Sequence, residues 1–133
     1  MPSVEQVHAI FDPLARGDVT AFFQNVDDDV DWTVKGTFLQ IAGHYKSKSA
    51  LRSGTHILNS IWATPLKMVV QHVICQESCA IVEMKAHETY CKNGMPFINE
   101  YVWICYFNKA DKIVQVRAYM DTDLVHRAIA LNS

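Results

Sequence analysis

The stretch LKMVVQHVICQESCAIVEMKAHETYCKNGMPFINEYVWICYFNKADKIVQVRAYMD, residues 66–121, decides the fold. It holds four runs rich in β-branched and aromatic residues: Leu66–Gln76, Cys79–Cys91, Phe97–Asn108 and Lys112–Asp121. Runs of this texture read as strands. The connections at Gln76-Glu77-Ser78, Lys92-Asn93-Gly94-Met95-Pro96 and Asn108-Lys109-Ala110-Asp111 are short and polar, so sequential neighbours pair as an antiparallel meander.

Upstream of this block the periodicity changes. Val4, Val7, Ile10, Phe11 and Leu14 recur at helical spacing, with Gly17 as a C-terminal cap. Asp18 caps a short second helix, Val19 to Asn25, before an acidic turn at Asp27-Asp28-Asp29. Val30-Asp31-Trp32-Thr33-Val34 alternates as a strand and stops at Gly36, and Thr37 to Tyr45 reads as irregular. Ser47 or Ser49 caps a third helix that runs to about Ala63, interrupted by Ser53-Gly54-Thr55 and ended by Pro65. Helices followed by a run of strands is α+β order. The predicted architecture is a cone-shaped, curved antiparallel sheet covered by three helices from the N-terminal half, with an apolar pocket inside.

Residues two apart on a strand share a face, which sorts each strand into an inner and an outer wall. Ala80, Val82, Met84 and Ala86 form one apolar face, and Val114, Val116, Ala118 and Met120 another. Tyr101, Trp103, Cys105 and Phe107 share their face with Asn99, while Val102, Ile104 and Tyr106 make the opposite face apolar as well. A sheet apolar on both sides predicts a covered outer face, hence a homodimer. Continuing the inner phase of 80–86 lands on Glu88, whose carboxyl would then be desolvated and usable as an acid or base. If the strand bulges near its hairpin, Glu88 points to water instead. His72 interrupts Met68, Val70 and Ile74 in the same way; it either exchanges protons with a ligand or is a buried, hydrogen-bonded imidazole. Asp121 is either a cap for a helix over Leu124 to Ala130 or a carboxylate on the pocket rim. Trp32, Tyr45, Trp62, Asn99, Tyr101, Trp103 and Met120 are the candidate ligand-contacting residues, since rigid rings serve equally as core and as cavity wall.

The 133 residues, half of them hydrophobic and a fifth charged, fit one globular domain spanning 1–133. A net charge of −2 leaves no basic surface for a nucleic-acid partner. No segment reads as a leader or membrane span, which predicts a cytoplasmic protein without a membrane partner. Cys75, Cys79, Cys91 and Cys105 match no zinc spacing, and no metal is expected.

The order of elements and the stretches Asp29–Thr37, Ala42-Gly43-His44-Tyr45, Asn93-Gly94-Met95-Pro96-Phe97 and Val116–Asp121 resemble the nuclear-transport-factor-2-like superfamily. The similarity is to its ketosteroid-isomerase-related and SnoaL-like members, and it spans nearly the whole chain. It implies either a cofactor-independent enzyme or a non-catalytic module for ligand binding or dimerisation. The enzymes of the superfamily are isomerases, cyclases, lyases and epoxide hydrolases acting on small hydrophobic metabolites such as polyketide or terpenoid intermediates. The ketosteroid isomerase pattern of Tyr, Asp and protonated Asp meets Ile10, Val34 and Trp103 here, so that mechanism is missing. The epoxide hydrolase Asp-Arg-Asp set meets Met84, Ala86 and Ala118 and departs too. The SnoaL-like catalytic Asp corresponds to Asp121. The expected catalytic set is therefore Glu88, His72 and Asp121.

Overall fold

The computed structural model describes residues 1–133 in full. Helix α1 (Val4–Ala15) opens with a capping box in which Ser3 Oγ accepts from the Gln6 amide and Gln6 Oε1 accepts from the Ser3 amide. Those bonds satisfy donors that a helix start leaves unpaired. Its apolar stripe, Val7, Phe11 and Leu14, is buried. Gly17, at φ +76, turns the chain into α2 (Val19–Phe23), capped by Asp18.

Strand β1 spans Val26–Val34, so the acidic triplet expected as a turn lies inside extended chain. Its register against β6 (Ile113–Met120) jumps from Val26↔Ile113 to Asp31↔Gln115. The triplet therefore loops out of the ladder as a broad bulge, which keeps Asp28 and Asp29 in solvent. The stretch read as irregular contributes a short β2 (Gly43–Tyr45), antiparallel to β1. The expected single helix over 47–63 is two pieces, α3 (Lys48–Gly54) and a 3-10 helix (His56–Ser60). Packing explains the break. The Tyr45 ring lies so near Gly54 that a Cβ there would sit 2.2 Å from it. A glycine that close to the bend weakens the helix just where Thr55 diverts it.

Strands β3 (Met68–Gln76), β4 (Cys79–Ala86), β5 (Glu100–Phe107) and β6 form the predicted antiparallel meander, and β1 joins it in parallel beside β6. The six-stranded, unclosed sheet runs β2-β1-β6-β5-β4-β3. Helix α4 (Thr122–Asn132) follows, buries Val125, Ala128 and Ile129, and is the helix read over Leu124 to Ala130 with Asp121 as its cap, beyond the three of the N-terminal half.

The core sits between helices and sheet, and Trp103 is its hub. Its ring centroid lies 5.0 Å from Trp32, 5.9 Å from Phe22, 6.0 Å from Phe11 and 6.3 Å from Tyr101. No helix is long and apolar enough to cross a membrane.

Candidate ligand cavity

The sheet coils too strongly for the helices to fill its inner face, and a cavity of about 350 Å³ remains. Trp32 and Val34 from β1, Met68 from β3, Tyr101 and Trp103 from β5, and Ala118 and Met120 from β6 make its sheet wall. Leu14, Phe22, Phe23, Leu51 and Leu58 close it from the helices, and Trp62 and Phe97 pack edge to face at 4.7 Å along one side. Of the lining residues, Val19, Arg52, Asn59 and Pro65 are exposed and form the rim. Eighteen of the 23 lining residues are hydrophobic, and no Asp, Glu, His or Lys is among them. A wall of this kind excludes water and rewards an apolar occupant.

Two buried donors, one in this wall and one behind it, have no acceptor. The Trp103 indole N–H is buried without an acceptor. Asn99, fully buried behind Tyr101, uses Oδ1 to accept from the Asp121 amide at 3.1 Å, and its Nδ2 has no acceptor. Burial pushes the Tyr101 phenol well above its ordinary range, and the nearby Asn99 amide offsets part of that rise. The group is therefore a neutral donor at any physiological pH. Orphaned buried donors are costly, and an acceptor atom on a bound molecule is one way to satisfy them.

The expected catalytic trio does not meet here. Strand β4 ends at Ala86, and Glu88 takes a positive φ of 46 that reverses the chain. Its carboxylate is exposed and pairs with His87 at 3.1 Å and Lys67 at 3.9 Å. The inward position passes to Thr89, buried, whose hydroxyl donates to the His87 carbonyl and accepts from the Lys67 amide. His72 is turned outward by a bulge. The register steps from Val70↔Met84 to His72↔Glu83, so Gln71 is extra, and Val73 and Cys75 take the core side in place of His72 and Ile74. His72 opens onto a separate shallow groove with Glu83, Lys85 and Glu100, which shares only Tyr101 and Met120 with the cavity. Asp121 is the N-cap of α4, its Oδ1 accepting from the Leu124 amide at 3.1 Å.

Of the candidate contact residues, Trp32, Trp62, Tyr101, Trp103 and Met120 line the cavity. Asn99 stands one layer behind. Tyr45 is outside the lining, its hydroxyl donating to the Ile41 carbonyl at 2.7 Å and its ring lying against Gly54. Arg52 was missed by the sequence reading, although Lys48, Arg52 and His56 stand four residues apart on one helical path. That spacing was legible; what it faced was not.

No family model matches the sequence. No curated protein matches it either. Solved structures do. An NTF2-like protein from Burkholderia thailandensis superposes with a TM-score of 0.76 at 20% identity, covering 97% of this chain and 98% of its own. TerC, co-crystallised with polyporic acid, gives a TM-score of 0.77 at 14% identity over 96% of this chain and 97% of its own. A protein of ketosteroid isomerase-like fold from Catenulispora acidiphila, in complex with trimethylamine, gives 0.67 at 10% identity over 89% and 86%. The chain therefore has the NTF2-like cone fold, the fold shared with ketosteroid isomerase-like proteins. Identities at this level speak for architecture, and chemistry must be argued from the cavity itself.

Proposed function

We propose that this chain is a small-molecule-binding protein whose cone holds an apolar, ring-bearing ligand with a hydrogen-bond acceptor at its inner end. The observation that carries this reading is the cavity of about 350 Å³, lined by aromatic and aliphatic side chains, one of which, Trp103, carries an unpaired buried N–H, with a second unpaired donor on Asn99 behind the wall. The volume suits a small metabolite. The co-crystal of TerC with polyporic acid supports the idea that a cone of this shape accommodates an organic molecule.

Tyr101 and Trp103 would bind the acceptor, with the Asn99 amide behind the phenol. The test is a titration of intrinsic tryptophan fluorescence with 2-acetonaphthone and with 2-ethylnaphthalene, which lacks the acceptor. The ketone should bind about five- to tenfold tighter, since a net hydrogen bond contributes about 1 kcal/mol. Tyr101→Phe should remove most of that preference. Absence of ketone binding, or a preference untouched in Tyr101→Phe, would sink the reading.

A second reading keeps the fold's enzymatic side: an isomerase, cyclase, lyase or epoxide hydrolase acting without a cofactor on a polyketide- or terpenoid-like substrate. Its support is Tyr101, a phenol held protonated at a dry wall, which can polarise a carbonyl. The lining supplies no carboxylate or imidazole to act as base beside it, so binding is the stronger reading.

We also propose a homodimer in a cytoplasmic setting. Val102, Ile104 and Tyr106 lie half-buried on a sheet face that no helix covers, with Arg117 stacked 5.4 Å from the Tyr106 ring and exposed Ile74 and Tyr119 nearby. Ile104→Asp would place a charge in the middle of that patch. Light scattering should give about twice the 15.1 kDa chain mass for the wild type and a single chain for the variant. A wild-type monomer at every concentration would refute it.

A further inference from the structure

Arg52 belongs to two concavities at once. It stands on the rim of the apolar cavity, and it is also one of six residues, all polar, that line an open cleft of about 720 Å³ on the outer surface. The other five are Asp28, Lys48, Ser49, Ser53 and His56. Arg52 is the one residue the two spaces share, so the cleft begins where the cavity ends.

The charge of this cleft runs against that of the chain. The protein carries a net −2, yet the cleft has two permanent cations and a single carboxylate. That carboxylate, Asp28, is committed to Lys48 at 3.3 Å. Arg52 has no carboxylate partner and no hydrogen-bond acceptor; its guanidinium lies over the Phe23 ring at 5.2 Å. Phe23 is itself a cavity wall. One face of the cation is thus held against an aromatic that lines the apolar space, while its N–H edge stays available. A planar guanidinium with a free edge is shaped for a two-oxygen anion. Ser49 and Ser53 add hydroxyl donors, and His56 adds a further cation when protonated.

Resting on the cavity as a ligand site, we propose that the ligand is an amphiphilic acid: its apolar body occupies the cone, and its anionic group leaves through the rim onto Arg52, with Lys48, His56 and the two serines around it. An anion at that point keeps most of its hydration through the open cleft, so desolvation opposes the contact only weakly. A neutral molecule of equal shape gains nothing from Arg52.

Matched acids and amides test this, because they differ in charge and hardly in shape. Calorimetric titrations with decanoate and decanamide, and with 2-naphthylacetate and 2-naphthylacetamide, should show at least one acid binding about five- to tenfold tighter than its amide. Raised salt should narrow the gap. Arg52→Ala should bring the acid-to-amide ratio close to one, and Arg52→Lys should keep part of it. Equal affinities in both wild-type pairs, or a ratio that survives Arg52→Ala, overturn the proposal while leaving the cavity reading intact. If neither amide binds, the cavity reading itself fails. Inorganic phosphate that binds as tightly as the acids would make the cleft a site for free anions, which also overturns the amphiphile.

Discussion

Trp103→Ala should lower the unfolding free energy by about 3–5 kcal/mol, as expected for a large ring removed from a packed interior. Four other rings lie within 6.3 Å of this one, from α1, α2, β1 and β5, so the loss reaches three elements besides its own strand. Each aromatic pair is worth about 0.5–1.5 kcal/mol beyond its buried area. The space vacated would also merge with the cavity beside it, so the walls have no tight shell to collapse onto. Urea denaturation followed by circular dichroism measures the change. Trp103→Phe should retain much of the stability while losing the orphaned N–H. A cost below about 1 kcal/mol for alanine would mean that the ring cluster is not the centre of the core.

The second large effect concerns ligand capacity. Ala118 on β6 is buried, lies directly across the ladder from Trp103, and contributes the smallest side chain of the inner wall. Ala118→Phe should project a ring into the open space and lower affinity for 2-acetonaphthone by at least about fiftyfold, beyond the loss of one hydrogen bond. Because the added ring enters a void instead of a filled core, its stability cost should fall at or below the roughly 1–3 kcal/mol usual for overpacking. Unimpaired binding together with intact folding would place the ligand elsewhere.

Much of the fold was legible because it rests on local rules. The capping residues at Asp18 and Ser47, the alternation of Ala80 to Ala86 and of Tyr101 to Phe107, and the polar connections each report on a few neighbouring residues. The site was legible in its apolar half for the same reason: strand phase sends Trp32, Tyr101, Trp103 and Met120 inward. The polar half was misread at two irregularities. A reversal at Glu88 and an extra residue at Gln71 each move a side chain to the other face, and neither leaves a mark in an alternation pattern that stays apolar on both sides of it. Val73 and Cys75 are as acceptable inside as His72 and Ile74 look, and only the partner strand decides between them. Arg52 escaped for a different reason. Its role depends on an opening between α2, α3 and the 3-10 helix, and the gap between two elements belongs to neither of their sequences.

The extra residue at Gln71 has a meaning for how such a protein can change. Everything after it in β3 is out of step by one, so a deletion of the single codon for Val73 would let Gln71 pair with Glu83, bring the strand back into unbroken alternation and carry the imidazole of His72 to the core side of the sheet, across from Val82. A lineage holding this sequence stands one short deletion from a titratable group on the inner side of its sheet, and one insertion from losing it again. Changes of length at a bulge leave the flanking ladder intact, so they offer ancestry and protein engineering alike a route between container and catalyst that no substitution at the wall itself requires.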